Sequence, residues 1–170
     1  MYFSRSLALT AAILASNVGA QLCDTAIKLC YDPPYQLPQN VTVEDVQAVA
    51  TYLRAYGLET KTGRQYTMTA EAAPACAEWT LYNSGTVIAL AKHINTTADS
   101  SVLYADIANT IDGGVNPTQE QREASLMGCR TTGGAVGVQY DAANPAYHTA
   151  AYLAKGYTPG GIVIKIVSSK

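Results

Sequence analysis

Cys76-Ala77-Glu78-Trp79-Thr80-Leu81-Tyr82 opens the stretch that decides the fold, and Leu126-Met127-Gly128-Cys129 closes it. The opening heptad alternates like a strand, with Trp79 and Leu81 on one face and Thr80 and Tyr82 on the other. Asn83-Ser84-Gly85 is a turn. Residues 86–94 read Thr-Val-Ile-Ala-Leu-Ala-Lys-His-Ile. Val87, Leu90 and Ile94 recur at helical spacing, and the alanines favour helix over strand there. A polar loop over 95–99 leads to a helix over 102–112, capped by Ser100 or Ser101 and carrying a Leu103, Ile107, Ile111 stripe. Gly113-Gly114 ends it. A shorter helix follows Asn116-Pro117 and runs to about Met127, with Ala124 and Met127 inward.

Working outward, residues 21–40 read as an N-terminal arm. Tyr31-Asp32-Pro33-Pro34-Tyr35 and Pro38 forbid a continuous helix or a central strand. Thr42 then caps a helix whose first turn is acidic (Glu44, Asp45), whose buried face is Val43, Val46, Ala50 and Leu53, and which stops at Gly57. Residues 65–70 alternate like a half-buried strand. Beyond Cys129, residues 135–140 read as a strand and 146–154 as a short helix after Asn144-Pro145. Ile162-Val163-Ile164-Lys165-Ile166-Val167 is the strongest strand signal, and its β-branched run places it centrally. Three to four helices intermingled with four strands predict an α+β domain, a small mainly antiparallel sheet with the helices packed on it and tied by disulfides.

Residues 1–20 have the form of a secretory leader: Arg5, an apolar run over 7–15, and Val18-Gly19-Ala20 as the cleavage context. The run is short of the ~20 residues that span a bilayer, which excludes stable membrane insertion. Residues 21–170 then form a single exported domain. Without Arg5, the eleven Lys and Arg become ten, against thirteen Asp and Glu. That mild acidic excess excludes a nucleic-acid partner, which needs a basic face. Asn40-Val41-Thr42 and Asn95-Thr96-Thr97 are sequons, so Asn40 and Asn95 are expected glycosylation sites; Pro117 spoils Asn116.

Four cysteines, Cys23, Cys30, Cys76 and Cys129, imply two bridges in an oxidising compartment. Of the three connectivities, proximity favours Cys23–Cys30 with Cys76–Cys129. The alternative ties Cys23 or Cys30 to the central block. The spacings fit no zinc module, and no cofactor or metal is expected.

His93 and His148 are the candidates for acid–base chemistry, yet the sequence assigns neither a carboxylate partner nor a nucleophile. Asp106 and Asp112 fall on nearly opposite sides of one helix, and Glu78 points away from Trp79 on its strand, so neither makes a glycosidase pair. Gly133-Gly134-Ala135-Val136-Gly137 precedes a strand, unlike a phosphate loop. Tyrosine is the enriched type, and Tyr140, Tyr147, His148 and Tyr152 form the candidate binding surface for an extracellular protein or glycan.

The leader, the single compact domain, the two bridges and the 76–129 block ending on Gly128-Cys129 resemble small secreted fungal effector-type proteins, the broad set that includes killer-toxin-like and necrosis-inducing families. That resemblance implies an extracellular α+β protein acting on a host or competitor surface without turnover. It carries over no functional residue. A small secreted hydrolase using His93 or His148 with a carboxylate is the alternative.

Overall fold

The computed structural model describes residues 23–74 and 76–170, and the leader expectation for 1–20 lies outside them. In chain order these hold β1 (Leu29–Cys30), α1 (Val43–Leu58), β2 (Gln65–Met68), β3 (Glu78–Ser84), β4 (Val87–His93), β5 (Ser100–Leu103), α2 (Tyr104–Asp112) and α3 (Gln119–Ala124). A 3₁₀ segment (Leu126–Thr132), β6 (Gly134–Gly137), a second 3₁₀ turn (Pro145–His148), α4 (Ala150–Ala154) and β7 (Ile162–Ser168) follow. One five-stranded sheet has the order β1-β6-β7-β4-β3, and β2 pairs with β5 apart from it. Every strand pairing is antiparallel. The domain is α+β.

The core follows from period-two burial meeting a helical stripe. Opposite residues in an antiparallel ladder share a face, so Ala89, Ala91 and His93 of β4 stand with Ile166, Ile164 and Ile162 of β7. These side chains are buried together with Val46, Val49, Ala50 and Leu53 of α1 and Ile107, Ala108 and Ile111 of α2. Each fully buried branched residue contributes on the order of 1.5–3 kcal/mol. β7 occupies the middle of the sheet, as its Ile/Val run predicts.

Two clamps fix α1. At its start, Thr42 accepts from Asp45 N, and the Asp45 carboxylate accepts from the Thr86 N–H and hydroxyl at 2.8 and 2.7 Å, locking the helix onto the β3–β4 turn. Those bonds hold the Asp45 carboxyl below the usual carboxylate range. Along its length, Arg54 grips buried Asp112 of α2 through both guanidinium nitrogens at 2.6 and 3.0 Å, and Gln47 adds a third bond to the same carboxylate at 2.9 Å.

Three sequence expectations are corrected. Residues 86–94 are strand β4, with Val87, Ala89, Ala91 and His93 buried in alternation. Flanking strands on both sides override the helix propensity of the alanines. Ser100 and Ser101 are not helix caps: they belong to β5, whose four residues are all buried, and α2 starts at Tyr104 with no side-chain cap. The bridges are Cys23–Cys76 and Cys30–Cys129, not Cys23–Cys30 and Cys76–Cys129. The arm runs alongside β6, where Leu29 faces Ala135 and Gly137 N donates to Ala26 O. That pairing delivers Cys30 to Cys129, while Cys23 meets Cys76. The bridges therefore staple the arm to both ends of the central block, the alternative pairing. Among the described residues no helix is long and apolar enough to cross a membrane.

Candidate functional site

The segment after β6 builds one wall of a groove. Asn144 Oδ1 accepts from Ala146 N at 3.0 Å, Pro145 takes the first helical position, and the turn runs to His148. Thr149 then caps α4 by accepting from Tyr152 N. Of the large side chains in this segment, Tyr147 and Tyr152 are buried, whereas His148 and Leu153 are exposed. Tyr147 donates to Asp106 Oδ2 at 2.5 Å while accepting from Leu103 N at 2.9 Å. Tyr152 donates to Ser101 O at 2.7 Å. With the two tyrosine rings spent on the core, the face toward the groove is Asn144, Pro145, Ala146, Thr149 and Ala151.

The opposite wall is the turn that follows α1. Arg64 N reaches back to Gly57 O at 2.8 Å, and Gly63 takes φ +77°, a left-handed value that suits glycine. A Cβ at Gly63 would sit 2.9 Å from Leu103 Cδ2, so the buried Leu103 side chain would have to shift to admit a larger residue. Above it, Arg64 lies 4.3 Å from the Tyr56 ring centre and pairs with Glu59 at 2.6 Å.

Three adjoining cavities fill the space between these walls. One of about 340 Å³ lies between Thr62, Gly63 and Gln65 on one side and Ala146, Thr149 and Ala151 on the other. A second, about 300 Å³, adds Lys61, Asn144 and Pro145, and a third of about 260 Å³ reaches Leu103 and Ala105. They share Lys61, Thr62, Gly63, Asn144, Ala146 and Thr149 pairwise and form one open groove of hydroxyl, amide and methyl groups with the Lys61 and Arg64 cations at one side.

The tyrosine surface predicted from sequence is corrected. Tyr140 is 40 % exposed and His148 is exposed, but Tyr147 and Tyr152 are each only 4 % exposed. Tyr140, Tyr147, Tyr152 and Tyr157 form an edge-to-face chain with centroids 6.1, 5.4 and 5.6 Å apart, running from the surface into the core. Desolvation pushes the Tyr152 phenol up to about 12, and raises Tyr147 further, with the bond to Asp106 adding to it. Desolvation also raises the Asp106 carboxyl, opposed in part by the hydrogen bond from Tyr147.

Neither histidine is brought to a carboxylate. His93 is fully buried, with Nδ1 2.8 Å from Ala73 O and Nε2 3.2 Å from Ser100 Oγ. A carbonyl only accepts, so Nδ1 carries the proton and Nε2 accepts from Ser100. His148 Nε2 lies 2.8 Å from Ala142 O. Glu78 pairs with Lys165 at 2.7 Å, while Asp106 and Asp112 serve Tyr147 and Arg54 respectively. No three His, Cys, Asp or Glu side chains among the described residues converge on a metal-sized site. Both sequon asparagines, Asn40 and Asn95, are exposed, and Thr97 donates to Asn95 Oδ1 at 2.9 Å.

Sequence reasoning missed the groove because its walls lie more than eighty residues apart, at Thr62 and Ala146. The local signal was present in the paired caps Asn144-Pro145 and Thr149. It also missed a second aromatic set, in which Tyr52 stacks on Tyr82 at 3.7 Å and Tyr56 follows one helical turn on. Compared with known protein families, curated proteins and solved structures, the chain matches none.

Proposed function

We propose that this chain is an exported, non-enzymatic effector or toxin-type protein that acts by binding a host or competitor surface through the groove between residues 58–65 and 144–151. The observation that carries this reading is the lining of the groove. It offers hydrogen-bonding hydroxyls, amides and the Lys61 and Arg64 cations beside methyl groups, and no carboxylate or imidazole lines it. Such a lining recognises an extracellular protein or glycan by polar contacts and shape. The secretory form of residues 1–20 and the two disulfides support export. A hydrolase built on His93 or His148 draws less support, since both His93 nitrogens are engaged in the core and His148 bonds a backbone carbonyl.

The test fills the groove from exposed positions. Thr62→Arg with Ala151→Arg should leave the thermal midpoint unchanged and abolish association of the purified protein with target-cell surfaces, read by fluorescence-labelled binding. Full binding by a folded double variant would overturn the groove assignment. Turnover of a chromogenic ester or glycoside that disappears in His148→Ala would overturn the non-enzymatic reading.

A further inference from the structure

Four arginines lie among the described residues, and the fold uses only two of them. Arg54 and Arg64 are held in ion pairs with Asp112 and Glu59. Arg122 and Arg130 are exposed, the guanidinium of neither makes a hydrogen bond or ion pair with a described residue, and both line one cavity of about 410 Å³. Its other walls are Val43, Gln119, Glu123, Met127 and Gly128. A third cation stands at the rim: Lys28 donates to the Glu123 carbonyl, and a Cβ on Gly128 would come within 2.7 Å of its ammonium nitrogen.

Arg130 also has a backbone that an arginine adopts at a cost. Its φ of 53° and ψ of −124° are the values of the first central residue of a type II′ turn, a position that glycine fills freely. The turn is fixed from both sides. Cys129 is bridged to Cys30 and its carbonyl accepts from Thr132 Oγ1, while Val41 N and Gln39 N donate to Thr131 O and Thr132 O. The fold alone is better served here by glycine, so the guanidinium is what the arginine adds.

We propose that this cavity binds the acidic sugar residue of an extracellular polyuronide, with Arg122 and Arg130 forking its carboxylate. Guanidinium pairs suit a planar carboxylate because two parallel N–H donors match its two oxygens. Glu123, held by Gln119 Nε2 at 2.9 Å, faces the same space. Its carboxylate accepts the hydroxyls of a sugar, which a bare inorganic anion lacks. Val43 and Met127 supply an apolar floor for the C–H face of a pyranose ring. The volume lies within the usual range for a small-ligand site. The site is distinct from the groove. Val43 begins α1 and Leu58 ends it, and at 1.5 Å per residue that puts roughly 22 Å between the two.

The probe is trigalacturonate, titrated calorimetrically at moderate salt against the uncharged maltotriose, sodium sulfate and a short poly-glutamate. Saturable binding of trigalacturonate alone is expected, weakened about tenfold or more by Arg122→Gln and by Arg130→Gly, because each removes a charged hydrogen-bond donor pair. Arg130→Gly should keep or raise the thermal midpoint, and Thr62→Arg should leave the titration unchanged. Equal binding of sulfate would identify an adventitious ion only, and equal binding of poly-glutamate would identify an acidic peptide site. Either result, or binding indifferent to both arginines, overturns the proposal. Loss of thermal stability in Arg130→Gly would instead assign that arginine to the fold.

Discussion

Replacing Tyr147 by Phe tests the buried junction beneath the groove. The ring stays and leaves no cavity, so the change isolates one hydroxyl. That hydroxyl donates to Asp106 Oδ2 at 2.5 Å and accepts from Leu103 N at 2.9 Å, and Asp106 is 7 % exposed. A hydrogen bond to a charged group contributes about 1.5–3 kcal/mol, and a buried N–H left alone costs about 1–3 kcal/mol. The expected loss is therefore about 3 kcal/mol at pH 7, or about 6–12 °C in thermal midpoint for a domain of this size.

The loss must also depend on pH in a defined direction. Desolvation raises the Asp106 carboxyl in the folded protein, so the folded state holds its proton more tightly than the unfolded chain does. Between the unfolded and folded values the unfolded state binds fewer protons, and stability falls as pH rises through that window. Removing Tyr147's bond takes away the contact that opposes desolvation, which lifts the folded value further and deepens the loss above it. Urea unfolding at pH 4 and pH 7 reads both effects. The deficit of Tyr147→Phe should be smaller at pH 4, where a larger fraction of Asp106 carries its proton and needs no charge-stabilising donor. A deficit below about 1 kcal/mol, or one equal at both pH values, refutes the junction as described.

Three further outcomes are expected. Arg54→Leu leaves the Asp112 carboxylate, 2 % exposed, without its ion-pair partner, so unfolding free energy should drop by about 3 kcal/mol; a drop under 1 kcal/mol would mean that water reaches Asp112. Non-reducing peptide mapping should recover Cys23 with Cys76 and Cys30 with Cys129, and removing the second pair, which closes a 99-residue separation, should cost about 4–5 kcal/mol in thermal or urea unfolding. Asn40→Gln and Asn95→Gln in the exported protein should each delete one endoglycosidase-sensitive mass increment, and an unshifted mass removes the expectation at that site.

The parts of the fold that were legible are those where one local signal acts alone. Thr42 and the acids behind it open α1 without reference to anything distant, though the helix runs past Gly57 to Leu58, and the β-branched run of β7 admits only a covered strand. β4 was misread because Val87, Leu90 and Ile94 fit a helix while Val87, Ala89 and Ala91 fit a strand, and only the flanking ladders to β3 and β7 decide between them. The disulfides were misassigned for a related reason. Closeness along the chain favours Cys23 with Cys30, but β1 pairing with β6 delivers Cys30 to Cys129. Topology sets those distances, and topology is not a local property.

The site was harder to read than the fold because residue type does not reveal whether a side chain is already used. Tyr147 and Tyr152 have the composition of a contact surface, and the core consumes them: their rings are buried and each hydroxyl has a backbone or carboxylate partner. His93 is consumed in the same way. Arg122 and Arg130 gave no sequence signal, since isolated arginines are ordinary on any surface. What distinguishes them is that Arg54 and Arg64 satisfy the fold's need for guanidinium while these two satisfy none, and that Arg130 holds a glycine-like backbone to stand where it does. The proposed uronate site rests on that contrast between used and unused guanidinium groups, and not on any enriched residue type.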